Sequence, residues 1–236
     1  MHQAIVITPV KDSISHTLNT IRAIYENDCK VHHIVYNDFS TPETRKTLEG
    51  NIEKYHFELI NLEDITSTPS PNYRLVLEDA QLKAIKEKLP LIIVESDVTI
   101  NKDTFKKMFD FYQTHSKTGL LGAITVDSSG DINFPYLKFK KVKENYVETR
   151  RSLSFCCTLL SLEFLRSYSF AGLDSSKDWY DTFISSKAVE LGFENYVLMD
   201  VPVLHEPHSS RPWKQLKYTN PLKYYFIKFT KGKDKI

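Results

Sequence analysis

Short apolar runs alternate with amphipathic segments along the first half of the chain. Each run is rich in branched aliphatic or aromatic residues, which is typical of strands buried on both faces of a sheet. The predicted strands are A-I-V-I-T-P (4–9), H-I-V-Y (33–36), F-E-L-I (57–60) and L-I-I-V (91–94). A segment with helical spacing follows each of them, so the alternation predicts an α/β fold: a Rossmann-like, mostly parallel central sheet with helices on both faces.

The predicted helices are defined by apolar residues that recur every three or four positions. These residues are Ile14, Leu18, Ile21 and Tyr25 in the first helix, Leu75, Leu82 and Ile85 in the third, and Phe105, Met108, Phe109 and Tyr112 in the fourth. Ser13 is a candidate N-cap for the first. The second helix is marked by its start, where Ser40 or Thr41 can cap it and Pro42 takes the first helical position.

The second half of the chain is less regular. Residues 126–151 predict a hairpin or a mobile insertion, and the apolar segment S-F-C-C-T-L-L-S-L (154–162) follows them. A helix over 181–191 and a strand over 195–204 complete the pattern. The chain has no repeat and no obvious linker, so we expect one domain over residues 1–210, with a donor half at about 1–125 and an acceptor half at about 126–210.

Composition places the chain among ordinary globular proteins, at 41% hydrophobic and 26% charged residues. No window has the roughly 18 apolar residues of a membrane span, and the first residues do not have the pattern of a secretory signal. The three cysteines have neither metal-binding nor disulfide spacing. We therefore expect a cytoplasmic protein.

Charge is distributed unevenly. Residues 211–236 contain one arginine and seven lysines against one aspartate, a net charge of +7, which leaves −6 for residues 1–210 of the total +1. Tyrosines and phenylalanines lie among these lysines. This basic aromatic tail could contact an anionic membrane or a lipid-linked acceptor, or it could be a helix packed on the body. An acidic body without a recognition motif makes nucleic acid an unexpected partner.

Polar residues follow three of the predicted strands: Thr8 to Asp12, Asn37 with Asp38, and Glu95 to Asp97. Ligands of open parallel sheets bind beyond the carboxyl ends of the strands, so these residues predict a site. On an extended backbone, which we predict here, Glu95 and Asp97 alternate and would point to the same side. Such a pair suits Mg²⁺ or Mn²⁺, although acids are also common where a strand end meets solvent.

Two further candidates allow two interpretations each. His205 ends the apolar run V-P-V-L-H and could be a structural histidine or a ligand beside carboxylates. Asp174, Asp178 and Asp181 precede the predicted helix that ends at Gly192. They could cap that helix, or one of them could be a general base that takes a proton from a sugar hydroxyl.

Five motifs in order resemble the family 2 glycosyltransferases with a GT-A fold. They are P-V-K-D, N-D-F-S-T-P-E-T, I-I-V-E-S-D-V, K-D-W-Y-D-T-F-I-S-S-K-A-V-E-L-G and V-L-H, within residues 3–210. The resemblance implies a single GT-A-like domain and inverting, metal-dependent transfer of a sugar from a nucleotide-diphosphate donor to a hydroxyl acceptor, in cell-surface glycan assembly. It implies Mn²⁺ or Mg²⁺ as the cofactor.

The resemblance also assigns roles to residues. Asp38 would bind the nucleobase in a pocket shaped by Pro9 and Val10, and Glu95 with Ser96 would lie near the ribose. Asp97 and His205 would hold the metal. Asp181 would be the base, with Asp178 as the substitute, and Arg74 could add positive charge against the diphosphate.

Within the five motifs, the sequence departs from the family pattern at three positions. Glu95 replaces the first aspartate of the D-x-D motif, Asn37 replaces an acid, and Tyr180 replaces the glutamate of the E-D motif. Tyr180 makes a catalytically inactive, glycan-binding relative one alternative. A nucleotidyltransferase that forms sugar nucleotides is the other, although P-V-K-D-S lacks the glycine- and arginine-rich phosphate loop of those enzymes.

Overall fold

The computed structural model describes residues 2–174, 179–206 and 220–230. It divides into two units, residues 1–206 and residues 207–236. The strands are β1 (Ile5–Val10), β2 (His32–Asn37), β3 (Glu58–Asn61), β4 (Leu91–Val94), β5 (Val98–Thr99), β6 (Thr118–Val126), β7 (Tyr146–Glu148), β8 (Cys157–Leu160) and β9 (Glu194–His205). The helices are α1 (Ile14–Tyr25), α2 (Pro42–Glu49), α3 (Ile52–Tyr55), α4 (Tyr73–Glu87), α5 (Thr104–Thr114), α6 (Leu162–Ser167), α7 (Tyr180–Glu190) and α8 (Pro221–Thr230), with 3₁₀ turns at Leu62–Asp64, Leu137–Phe139 and Phe170–Gly172.

All nine strands form one sheet in the order β3-β2-β1-β4-β8-β6-β9-β5, with β7 paired to β9. Strands β1 to β4 are parallel to one another. Strand β8 runs antiparallel to both of its neighbours, β4 and β6, and β9 is parallel to β6. The carboxyl ends of β1, β2, β4, β6 and β9 therefore lie at one edge of the sheet, where β8 begins.

The sheet is buried on both faces, because alternate residues of its strands belong to different core clusters. Ile5 and Ile93 pack on one face with α4, α6 and α7. Val6 and Ile92 pack on the other face with α1 and α5. A near-continuous apolar run is the pattern expected of such strands. The predicted α/β architecture, with a mostly parallel sheet and helices on both faces, is confirmed.

The helix starts and faces differ in detail from the sequence prediction. Thr41 caps α2 by accepting a hydrogen bond from the Thr44 backbone N–H at 3.4 Å. Ser13 precedes α1 in a left-handed conformation and makes no side-chain cap. Leu82, predicted to face the core, is 67% exposed. The buried residues of α4 are Val76, Leu77, Ala80, Gln81 and Ala84, so its apolar face is rotated from the predicted one.

Residues 118–160 form much of the second half of the sheet. The hydrophobic pattern of the sequence predicts no strand where β6 lies. Strand β6 is the longest of the strands that pair with β9. Residues 126–151, predicted as a hairpin or a mobile insertion, contribute a bridge from Val126 to Ile132 and the edge strand β7. The predicted apolar segment 154–162 contains β8, and the predicted strand 195–204 is β9.

In the second unit, helix α8 is the described part. Its side chains Leu222, Tyr225 and Phe226 are exposed, and Lys223 is exposed beside them. Across the described residues, no helix combines the length and the apolar character needed to cross a membrane.

Candidate active site

Strand register brings the predicted polar strand ends together. Val10 at the end of β1 is paired with Asn37 at the end of β2, and β4 ends beside β1 at Val94. His205, the last residue of β9, is paired with Val98 of the short strand β5. The antiparallel pairing of β5 with β9 thus places the residues just after β4 against the end of β9.

Glu95, Ser96 and Asp97 form a turn, so the prediction of an extended backbone at these residues is wrong. Strand β4 ends at Val94, and the backbone N–H of Val98 donates to the carbonyl of Glu95 at 3.1 Å. This hydrogen bond reverses the chain so that β5 can pair with β9. Ser96 is buried within the turn. The charges of Glu95 and Asp97 still act on each other, because the Asp97 carboxylate raises the pKa of Glu95.

Asp97 and His205, the two predicted metal ligands, lie beside each other. Asp97 Oδ2 lies 3.7 Å from His205 Nε2, and the two side chains are 11% and 4% exposed. The other ring nitrogen, Nδ1, is 2.7 Å from the carbonyl oxygen of Phe134. A carbonyl oxygen only accepts, so Nδ1 carries a proton and donates it. In the neutral ring Nε2 therefore presents its lone pair towards Asp97, as a metal-binding histidine does.

Cys156 completes a group of three possible metal ligands that the sequence pattern did not indicate. Its Sγ lies 3.3 Å from Glu95 Oε2 and 3.9 Å from His205 Nε2. One ligand atom from each of these three residues lies within 4.8 Å of the others. Cys156 reaches this edge because it precedes the antiparallel strand β8, whereas its neighbours in space follow parallel strands.

Burial and neighbouring charges shift the ionisation of this group. Burial, followed by the charge of Asp97, raises the pKa of Glu95 to about 7. Burial raises the pKa of Cys156 well above its ordinary value, and Glu95 adds to this effect. Burial lowers the pKa of His205, but Asp97 and then Glu95 outweigh it, so that the pKa of His205 is raised. The two acids of the site, Glu95 and Asp97, therefore make a positive charge there favourable.

Asp181 lies in the first turn of α7, where its Oδ1 accepts a hydrogen bond from the Thr182 backbone N–H at 2.8 Å. Its charge contributes to the raised pKa of Glu95 and of Tyr73. Tyr73 begins α4, and its buried hydroxyl has no hydrogen-bond partner within the described part of the chain. The structure thus brings Asp181 and Tyr73 near Glu95. Asp178 lies outside the described residues.

Asp38 occupies a separate position at the end of β2 and is bound by the loop that precedes α4. Its Oδ2 accepts hydrogen bonds from Ser70 Oγ at 2.7 Å and from the Asn72 backbone N–H at 2.9 Å. Its Oδ1 accepts one from Asn72 Nδ2 at 2.8 Å. Ser70 and Asn72 were not indicated by the sequence pattern. Asp38 therefore fixes this loop, in addition to any role in ligand binding.

The remaining predicted donor residues have structural contacts of their own. Val10 packs in an apolar cluster with Val35 and Leu48, and Pro9 lies beside it in β1. Arg74 contacts Glu78 Oε1 through Nε at 3.0 Å and donates from Nη1 to the Leu173 carbonyl at 3.1 Å. Arg74 thereby links α4 to the segment that precedes residue 175.

The chain matches no family model and no curated protein, but solved structures share its fold. The crystal structure of TarS 1–349 from S. aureus superposes with a TM-score of 0.66 at 20% identity, covering 87% of this chain and 60% of that one. The mannosyltransferase PcManGT from Pyrobaculum calidifontis, in complex with GDP-Man and Mn²⁺, gives 0.67 at 14% identity over 96% of this chain and 64% of that one. GalNAc-T7 with UDP, GalNAc and Mn²⁺ gives 0.63 at 12% identity, over 87% and 44%.

These neighbours are glycosyltransferases of the GT-A type. The chain has the GT-A fold. This confirms the fold that the five motifs implied. The chain spans about 60% of the length of the TarS and PcManGT chains.

Proposed function

We propose that the chain is an inverting, metal-dependent glycosyltransferase that moves a sugar from a nucleotide-diphosphate donor to a hydroxyl acceptor. The observation that carries the proposal is the pairing of Asp97 with His205 Nε2 at the edge of a GT-A sheet. Structures with this fold are described with GDP-Man or UDP together with Mn²⁺, which supports the same class of ligand here.

The ligand chemistry fits Mn²⁺ or Mg²⁺. A carboxylate oxygen and an unprotonated imidazole nitrogen, both shielded from solvent, are suitable donors for such a cation. Asp97 and His205 would hold it, and when bound it would neutralise charge that develops on the departing diphosphate. Glu95 and Ser96 would contact the ribose. Asp38 would contact the nucleobase from the end of β2, beside Pro9 and Val10, and Arg74 would lie towards the diphosphate.

Asp181 is the proposed general base. In an inverting transfer, a carboxylate takes the proton of the acceptor hydroxyl while that oxygen attacks the anomeric carbon. Asp181 lies at the start of α7 and influences the pKa of Glu95, which supports a role for its carboxylate in the same site. Asp178 is the alternative base.

The acceptor half comprises about residues 126–210, and we propose a glycan or lipid-linked acceptor in cell-surface polysaccharide assembly. Helix α8 would contact an anionic membrane from the cytoplasmic side. Leu222, Tyr225 and Phe226 are exposed at helical spacing on α8, with Lys223 between them. Exposed apolar residues beside lysines are typical of helices that lie at a membrane interface.

Isothermal calorimetry with UDP and GDP, each with and without Mn²⁺, tests the proposed donor site. We expect metal-dependent binding of at least one nucleotide, and its loss in Asp97→Asn. Asp200→Asn, at an exposed position in β9, is the matched control and should bind normally. Absence of binding to either nucleotide under both conditions would refute the proposal.

A binding protein without transferase activity is the second candidate. Tyr180 replaces the glutamate that the resemblance implies before Asp181, and its side chain is buried, with its ring 6.3 Å from the ring of Tyr73. Nucleotide-sugar binding without hydrolysis or transfer across a broad acceptor panel would favour this candidate.

A further inference from the structure

The thiol of Cys156 changes the chemistry of the candidate active site. Pairing of β4 with β8 places Cys156 opposite Glu95, and the Glu95 backbone N–H donates to the Cys156 carbonyl at 3.0 Å. This pairing holds the two side chains in a fixed relationship, just after the end of β4 and just before the start of β8. The sulfur is buried and directed towards His205.

The separations of the three donor atoms suit one tetrahedral ion. Zinc bonds of about 2.3 Å to sulfur and about 2.0 to 2.1 Å to nitrogen or oxygen place neighbouring donors roughly 3.3 to 3.6 Å apart. Cys156 Sγ lies 3.3 Å from Glu95 Oε2 and 3.9 Å from His205 Nε2. Small side-chain shifts would bring all three to one ion.

We propose that Glu95, Cys156 and His205 form a binding site for a borderline-soft divalent cation, with Zn²⁺ as the preferred ion. Thiolate and imidazole ligands favour Zn²⁺ over Mn²⁺ and Mg²⁺, which prefer oxygen. On binding, the thiol proton passes to solvent and the sulfur coordinates as a thiolate.

The position of His205 gives the site a second property, which rests on the proposed function. His205 Nε2 is the nitrogen assigned to the Mn²⁺ or Mg²⁺ of the donor site, and one lone pair binds one ion. Zn²⁺ and the hard cation would therefore exclude each other. Zinc bound with Cys156 would inhibit metal-dependent donor binding.

The neighbouring cysteine provides a matched control. Cys157 follows Cys156 on β8 and points to the other side, where its Sγ lies 4.0 Å from Met108 Sδ within an apolar cluster. Another group of possible ligands among the described residues, His2, His32 and Glu87, contains no sulfur. A signal from a metal–sulfur bond therefore distinguishes the proposed site from that group, and the Cys157→Ser variant distinguishes it from the neighbouring thiol.

Cobalt absorption tests the proposal in the full chain, without nucleotide or acceptor. Because the sequence has three cysteines, a Cys29→Ser background leaves only the two adjacent thiols. We expect Co²⁺ to give a thiolate-to-cobalt charge-transfer band in this background and in its Cys157→Ser variant, and added Zn²⁺ to abolish the band. Cys156→Ser should lack the band and bind Zn²⁺ at least about tenfold more weakly, since even partners of metal ligands contribute tenfold or more.

Bound Co²⁺ without the band, or a band that survives in Cys156→Ser, would overturn the proposal. If Cys156→Ser does not fold, Glu95→Gln is the second test, and it should weaken Zn²⁺ binding while it retains the band. Unchanged Zn²⁺ affinity there would also count against the site.

Electron paramagnetic resonance of Mn²⁺ tests the sharing of His205. Added Zn²⁺ should release Mn²⁺ from the protein, and simultaneous binding of both ions would refute a shared ligand. Failure to bind Mn²⁺ at all would contradict the proposed function and leave the zinc site supported by the cobalt spectrum.

Discussion

Asn72 binds both carboxylate oxygens of Asp38, through its backbone N–H at 2.9 Å and its side-chain amide at 2.8 Å. The contact joins the end of β2 to the residue that precedes α4. Since Tyr73 follows Asn72 directly, the same contact positions the first residue of α4 near Glu95 and Asp181. Asp38 therefore contributes to the geometry of the candidate site at a distance from the proposed metal ligands.

Asp38→Asn should loosen this loop. The new amide nitrogen would face N–H and O–H donors of Ser70 or Asn72, so charge-assisted hydrogen bonds would be lost. We expect the free energy of unfolding to fall by about 1 to 3 kcal/mol, measured in urea, with faster amide exchange over residues 66–72. Asp64→Asn is the control, because the exposed pair of Asp64 with Arg45 contributes less than about 1 kcal/mol. Equal effects of the two substitutions would contradict the proposed clamp.

Tyr73→Phe should separate stability from binding. The Tyr73 hydroxyl is buried without a hydrogen-bond partner among the described residues, and an unsatisfied buried group costs about 1 to 3 kcal/mol. Phenylalanine should therefore leave the free energy of unfolding unchanged or raise it. If the hydroxyl serves the donor or the acceptor, affinity for that ligand should fall in calorimetry.

Tyr36→Phe is the matched control for that experiment. The Tyr36 hydroxyl donates a hydrogen bond to Asp79 Oδ2 at 2.6 Å. Loss of this hydrogen bond should destabilise the fold and leave ligand affinity unchanged. A Tyr73→Phe variant that is destabilised like Tyr36→Phe, with normal ligand binding, would assign the Tyr73 hydroxyl a structural role.

Asp181→Asn should spare donor binding and reduce turnover. General-base catalysis contributes about 10²- to 10⁴-fold, so we expect at least a hundredfold lower transfer rate, measured by release of nucleotide diphosphate at saturating donor. Asp200→Asn again provides an exposed aspartate as control. Full activity of Asp181→Asn would transfer the role of base to Asp178 or to another group.

Acid should destabilise the protein through His33. Burial, followed by the charge of His32, lowers the pKa of this histidine to about 3. The unfolded chain, with a histidine pKa near 6.5, binds one more proton than the folded chain between these values. Stability is therefore lost as the pH falls below about 6.5, by about 2 kcal/mol between pH 7.5 and pH 5.

Urea unfolding of His33→Gln at the two pH values checks this prediction, because the substitution should remove that part of the loss. Thr8→Val is the control: it deletes the hydroxyl 3.0 Å from His33 Nε2 but keeps the titrating ring and its pH dependence. Parallel losses in the wild type and His33→Gln would show that His33 is not the source.

Helix α8 should bind anionic vesicles through its exposed apolar residues. Leu222 and Phe226 are 86% and 69% exposed, and glutamate at both positions should reduce co-sedimentation with phosphatidylglycerol vesicles. The double variant Ile65→Glu/Leu82→Glu is the control. It replaces two exposed apolar residues of the first unit and introduces the same negative charge. Equal loss in both variants would indicate a general effect of charge.

The sequence predicted those features that depend on periodicity and on the ends of parallel strands. Burial of both sheet faces produces the apolar runs, and parallel strands place Asp38 and Asp97 at one edge. Cys156 and the turn at Glu95 depend instead on antiparallel pairings between distant segments. No local pattern encodes such pairings.

The hydrophobic pattern did not predict strand β6 because two of its residues are glycines. Gly122 has no room for a side chain, because a Cβ there would lie 2.7 Å from Leu153 Cδ2 and 2.8 Å from the Tyr136 hydroxyl. At Gly119 the obstacle would be Phe193 Cβ, at 2.8 Å. Glycine weakens the pattern of a strand, and here it marks close approach of other segments.

The antiparallel course of β8 means that the chain leaves β6 and enters β8 at the same edge of the sheet. The connecting segment is therefore anchored at both ends beside the candidate site. It also contacts β9, since Asn133 Nδ2 donates to the His205 carbonyl at 2.9 Å and the Phe134 carbonyl accepts from His205 Nδ1. Doubling the length of such a loop costs only about 0.6 kcal/mol in closure entropy. The exposed residues of this segment, such as Lys143 and Glu144, are thus a suitable place to graft new recognition sequences, provided that Asn133 and the Phe134 carbonyl are retained.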